Sequence, residues 1–203
     1  ATVTASFTIS LALGNISIVN FSTSGRLNII GNIIGNSAAV NNVYCILVSG
    51  TGELNVTGNL TGGSSSSGLN LPLSIQGNAV VNVTGNVTGG SYAYSNNAAT
   101  CYGISVAANN ATVTINGTIT GSGSPGLYSS SSSIVTVNGS CQSSNTASAI
   151  YSNVSVAFLR LSGPFLLGAS GNINPVHAIT WRWAPTQIPT YMEVVASNGT
   201  TKR

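Results

Sequence analysis

The sequence predicts an all-β chain wound as a right-handed parallel β-helix (β-solenoid) of about six coils, closed by a C-terminal β cap. Three observations predict it. A glycine-centred segment recurs six times along the 203 residues. Each copy alternates apolar and polar residues with the period of a strand. Charged residues make up 3% of the chain, against about 25% in an ordinary globular domain.

The repeats align on Gly31 (LNIIGNIIGN), Gly58 (LNVTGNLTGG), Gly85 (VNVTGNVTGG), Gly117 (VTINGTITGS), Gly139 (VTVNGSCQSS) and Gly163 (LRLSGPFLLG). The gaps between them are 27, 27, 32, 22 and 24 residues. A fixed motif at varying intervals means a fixed strand joined by loops of variable length. A second strand lies in each interval: VYCILV at 43–48, LNLPLSI at 69–75, CYGISV at 101–106, GLYSS at 126–130 and SAIYS at 148–152. One turn of chain is therefore strand, turn, strand, loop. It buries its apolar face only by stacking on its neighbours. Right-handedness follows the usual hand of parallel crossovers.

One parity of each motif points to the core: Ile29 and Ile33, Val56 and Leu60, Val83 and Val87, Ile115 and Ile119, Val137 and Cys141, Leu161 and Phe165. The glycine sits in an inward slot, where a side chain would collide or the strand must bend. The other parity carries Asn and Thr outward. At a spacing of about 4.8 Å per coil, equivalent residues form columns. Asn28, Asn55 and Asn82 make one ladder; Asn32, Asn59 and Asn86 make another. Their amides are expected to bond to one another along the axis, as in stacked cross-β arrays. Columns of identical charge would place like charges side by side, which accounts for the scarcity of charge.

The chain divides into an N-terminal strand pair or cap (1–25), the repeats (26–170) and a C-terminal cap or docking hairpin (171–203). The last segment holds both Trp, the only His and the only Met. Trp181, Trp183, Tyr191 and Ile188 are candidates for a partner contact, since Trp and Tyr dominate interface energetics. If Ile179, Trp181 and Trp183 are instead the cap's own core, Arg182 points outward as the contact. The chain opens without a signal-peptide pattern. It ends at Lys202–Arg203 directly after a turn signature, which suggests a piece of a longer chain.

Composition excludes several functions. The five basic residues are scattered apart from the terminal pair, so no stripe for nucleic acid exists. No run approaches the ~18 apolar residues of a spanning helix, so membrane insertion is not expected. Glycan hydrolysis needs two carboxylates within reach, yet only Glu53 and Glu193 exist, far apart in sequence, and there is no Asp. His177 has no acid or Cys nearby in sequence. No enzyme activity, metal or cofactor is expected. Cys45, Cys101 and Cys141 read as free thiols, with Cys141 a buried hydrophobe. Asn-X-Ser/Thr triplets are frequent, but ladder positions leave no room for glycans. The outward Thr and Asn rows also admit an ice-ordering surface, although uneven coil lengths disfavour it. Tyr92, Tyr94, Tyr102 and Tyr128, near the second strands, could stack on a sugar.

The G-N-[VLI]-T-G-G-S grammar, the Y-G-I-x-V strand and the Trp-bearing end together resemble β-helical structural proteins of tailed bacteriophage particles: decoration proteins, fibres and tailspike-like appendages. The likeness spans about residues 26–195. It implies a virion protein that self-associates, a trimer being favoured, and that contacts capsid or tail proteins. Tailspikes that cut polysaccharide carry acidic clusters, and this chain departs from them there. Bacterial adhesins share much of the grammar, so an extracellular, cell-surface carbohydrate-binding role or an extracellular filament subunit is the alternative.

Overall fold

The computed structural model describes residues 1–4, 7–8, 16–35, 37–38, 42–65, 69–92, 101–122, 124, 126–129, 133–143, 150–152, 158–162, 192–195 and 201–202. Every element among them is a strand. The first strands are β1 (Thr2–Thr4), β2 (Phe7–Thr8) and β3 (Ile16–Phe21). Next come β4 (Arg26–Ile30), β5 (Ile33–Ile34), β6 (Ser37–Ala38) and β7 (Val43–Val48). The pattern repeats as β8 (Glu53–Thr57), β9 (Leu60–Thr61), β10 (Ser64–Ser65) and β11 (Asn70–Ile75). It repeats again as β12 (Val80–Thr84), β13 (Val87–Thr88), β14 (Ser91–Tyr92) and β15 (Ile104–Val106). Then follow β16 (Thr112–Asn116), β17 (Ile119–Gly121) and β18 (Leu127–Ser129). After them come β19 (Ile134–Val137), β20 (Cys141–Ser143) and β21 (Ile150–Ser152). The series ends with β22 (Phe158–Ser162), β23 (Met192–Val195) and β24 (Thr201–Lys202).

These strands form four sheets. The main sheet has nine strands in the order β1-β4-β8-β12-β16-β19-β22-β23-β24. A second sheet runs β2-β5-β9-β13-β17-β20, and a short sheet β6-β10-β14. A return sheet, β3-β7-β11-β15-β18-β21, leads the chain back to the main sheet. Strand neighbours are 22 to 33 residues apart in register and run parallel, except β24, which is antiparallel to β23. An all-strand chain in parallel sheets is the arrangement a parallel β-helix requires.

The structure refines the motif. It is two strands in two sheets, not one bent strand, and the glycine is the corner between them. Gly31, Gly58 and Gly85 have φ of 137°, 146° and 145°, a region L side chains rarely enter. A Cβ on Gly85 would lie 2.2 Å from the Gly58 carbonyl oxygen. The excluded side chain would therefore strike the preceding circuit's backbone rather than the core.

Inward residues follow the predicted parity. Leu54, Val56, Leu60, Val81, Val83, Val87, Val113, Ile115, Ile119, Val135, Val137 and Cys141 are all buried. Ile46, Val48, Leu73, Ile75, Ile104, Val106 and Leu127 of the return sheet close the core from the other side. Residues 1–25 differ from expectation. Their strands pair in parallel with β4, β5 and β7 rather than with each other, and Phe21 enters the core. Their described strands thus extend three of the parallel sheets by one strand each.

Length variation is confined to one side. The return sheet always leads to the main sheet through a short link: Val48 to Glu53, Ile75 to Val80, Val106 to Thr112, Ser129 to Ile134. The second sheet leads to the return sheet through unequal ones: Thr61 to Asn70, Thr88 to Ile104, Gly121 to Leu127, Ser143 to Ile150.

Ile115→Ala should lower unfolding stability by about 2–5 kcal/mol through the cavity it leaves. Gly85→Ala should lower it by at least about 1–3 kcal/mol, through backbone strain and the blocked carbonyl. Denaturant melts check both, with surface Thr112→Ala as the neutral comparison.

Candidate functional site

The feature with most chemistry is the outer face of the main sheet. Three columns of backbone register cross this sheet. The first is Arg26, Glu53, Val80, Thr112, Ile134, Phe158. The second is Asn28, Asn55, Asn82, Thr114, Thr136, Arg160, Glu193. The third is Ile30, Thr57, Thr84, Asn116.

The two expected asparagine ladders bond differently. In the second column, Asn55 Nδ2 donates to Asn28 Oδ1 at 2.9 Å, and Asn82 Nδ2 donates to Asn55 Oδ1 at 2.9 Å. The central amide, Asn55, uses both its donor and its acceptor. At the corner, Asn59 N–H donates to Asn32 Oδ1 at 2.8 Å, Asn86 N–H to Asn59 Oδ1 at 2.9 Å, and Thr118 N–H to Asn86 Oδ1 at 2.9 Å. These are side-chain-to-backbone bonds, not the amide-to-amide ladder expected. The reason is the corner. Gly58 and Leu60 donate forward to Thr84 and Asn86 carbonyls, and the Asn59 N–H between them is met from the other side by a side-chain oxygen.

Further members of this scheme escaped the sequence reading. Leu69 N–H donates to Asn42 Oδ1, Asn110 N–H to Asn78 Oδ1, and Asn138 Nδ2 to Asn116 Oδ1. Their offsets of 27, 32 and 22 residues repeat the spacings of the glycine motif. A search at those offsets would have found them.

Glu53 is tied to its surroundings. Arg26 Nη2 lies 2.6 Å from Glu53 Oε2, and Asn55 Nδ2 donates to Oε1 at 2.9 Å. The Asn55 amide first, and the Arg26 guanidinium second, hold this carboxyl below its ordinary range. The carboxylate is thus engaged by both an amide and a guanidinium. Around it lies an open groove of about 430 Å³, lined by Ser24, Gly25, Arg26, Thr51, Gly52, Glu53 and Val80.

The three cysteines are free and buried. Cys45 Sγ donates to the Thr61 carbonyl at 3.1 Å. Cys141 stands in register with Ile119. Burial pushes both thiols up from 9.0 to about 12. Among the described residues, no group of three or more His, Cys, Asp or Glu could hold a metal ion. No helix among them is long and apolar enough to cross a membrane.

Of the four tyrosines, two meet. Tyr102 and Tyr128 stack with ring centroids 4.6 Å apart and planes 11° from parallel. Tyr92 lies in β14, opposite Ser65 of β10. Tyr94 is outside the described residues, as are Trp181, Arg182, Trp183, Ile188 and Tyr191. Glu193 is described at the level of backbone register, paired with Arg160.

No family model, curated protein or solved structure matches the chain.

The two columns differ in what they tolerate. Asn59→Asp keeps the acceptor the corner needs and should change stability by less than about 0.5 kcal/mol. Asn55→Asp loses the donor and faces Glu53, and should cost about 1–3 kcal/mol. Paired denaturation curves read the contrast.

pH dependence should have an alkaline and an acid limb. Unfolded thiols release their protons near pH 9, while folded Cys45 and Cys141 hold theirs to about 12. Their contribution is full below pH 9 and is lost as pH rises toward 12. Glu53 acts in the opposite sense, stabilising above its ordinary pKa and losing that as pH falls through its lowered one. Thermal melts should decline above pH 9, and Cys141→Ala should flatten that decline.

Proposed function

We propose that the chain is a non-enzymatic structural protein of a virus particle, a self-associating capsid decoration or tail appendage. In this reading it is a right-handed parallel β-helix of about six coils with a C-terminal β cap. The observation that carries it is the stacking of a surface poor in charge whose ion pair and central amides engage one another. Arg26 and Glu53 engage each other, and the asparagine amides engage one another along the axis. Such a surface has little to offer a charged small substrate. It suits a rigid part that packs against neighbours. The stretch between Arg26 and Arg160 contains no Lys or Arg, which removes trypsin sites from the body of the rod. The phage resemblance supplies the particle, with capsid or tail proteins as partners.

A second reading has its own observation. The Tyr102–Tyr128 stack on the return sheet offers an aromatic face of the type sugars pack on, which fits a cell-surface carbohydrate-binding adhesin.

Co-sedimentation separates the two. Purified chain is expected to pellet with capsids or tails of the virus that encodes it. Failure to bind either, and absence from the protein content of intact particles, overturns the first reading. Binding on a glycan array that is lost in Tyr128→Ala supports the second.

A further inference from the structure

We infer that the outer face of the main sheet is the surface through which one copy of this chain binds a second. This rests on the self-association proposed above and names the face that performs it.

Exposed apolar residues point there. Among the described residues the exposed large hydrophobics are Ile30 (45%), Ile34 (46%), Val80 (42%) and Ile134 (42%). Three of these four project from the main sheet. Ile34 projects from β5, immediately past the glycine corner. The return sheet behaves otherwise, since Leu71 and Tyr44 are buried there.

Covering the main sheet is inexpensive in hydrogen bonds. A buried amide without a partner is strongly unfavourable. In the central column, however, Asn55 already donates to Asn28 and accepts from Asn82. A partner can therefore exclude water from Asn55 at the centre of this column without stranding its amide. The aliphatic residues flank it and supply the gain on burial.

Charge and size select a second copy as the occupant. Among the described side chains of this face the charged ones are Arg26 and Glu53, and they pair with each other. The described part of the face therefore presents no single sign to an anionic or cationic partner. Nine strands at ~4.8 Å, averaging about four residues at ~3.3 Å each, give roughly 600 Å² per copy. Two such faces bury about 1,200 Å², the lower bound of a stable specific interface.

Sedimentation velocity on the full chain tests the assignment, with circular-dichroism melts as the check on folding. Wild type is expected to sediment as an oligomer. Thr84→Arg and Ile134→Arg, both outward and exposed, should each weaken association by at least about tenfold while melting normally. Ser105→Arg, on the return sheet, should associate as wild type does. An oligomeric wild type indifferent to both main-sheet variants, or dissociated by Ser105→Arg, overturns the face and leaves self-association standing. A monomeric wild type overturns both.

Discussion

Everything in this molecule follows from in-register stacking at strand spacing. Once each circuit lies directly over the last, a residue's neighbours are its own equivalents. A column must then be made of groups that tolerate themselves. Aliphatics do so inside, by dispersion and exclusion of water. Asparagine does so outside, because an amide is both donor and acceptor. Glycine does so at the corner, where the backbones of successive circuits touch.

The same rule explains where charge is allowed. A carboxylate over a carboxylate is repulsive, and the chain contains no such pair. Where two charged side chains are described on adjacent levels they are of opposite sign, Arg26 beside Glu53. Arg160 and Glu193 repeat this in backbone register at the far end of the same sheet. Exposed pairs of this kind add little stability. Their value lies in alignment. In a ladder of near-identical LNVTG and VNVTG rungs, a slip by one level changes little, whereas a mismatched charge is felt at once.

Much of this was legible in the sequence because stacking converts three-dimensional contact into fixed sequence offset. The inward positions of β8, β12 and β16, the return strands β7 and β11, and the Cys141 slot all follow from aligning glycines. What escaped lies where that alignment fails. The first circuit reads TASFT where the next reads IGNII, so it carries neither the glycine nor the asparagine that announces a corner. The bonding of Asn32, Asn59 and Asn86 depended on which way a backbone N–H turns at a positive-φ glycine, which no residue pattern encodes. Of the functional candidates, stacking brought Tyr102 to Tyr128 because they lie on adjacent circuits. The Trp-bearing segment obeys no repeat, and its arrangement could not be read from offsets.

The links from the second sheet to the return sheet vary in length, while the opposite links stay short. Growth of the chain has thus been channelled to a single flank. A graft placed there, between Thr88 and Ile104 for example, would hang from two rigid strands without shifting any column. On a stack of parallel strands, that flank is where added residues leave the registers of the main and return sheets unchanged.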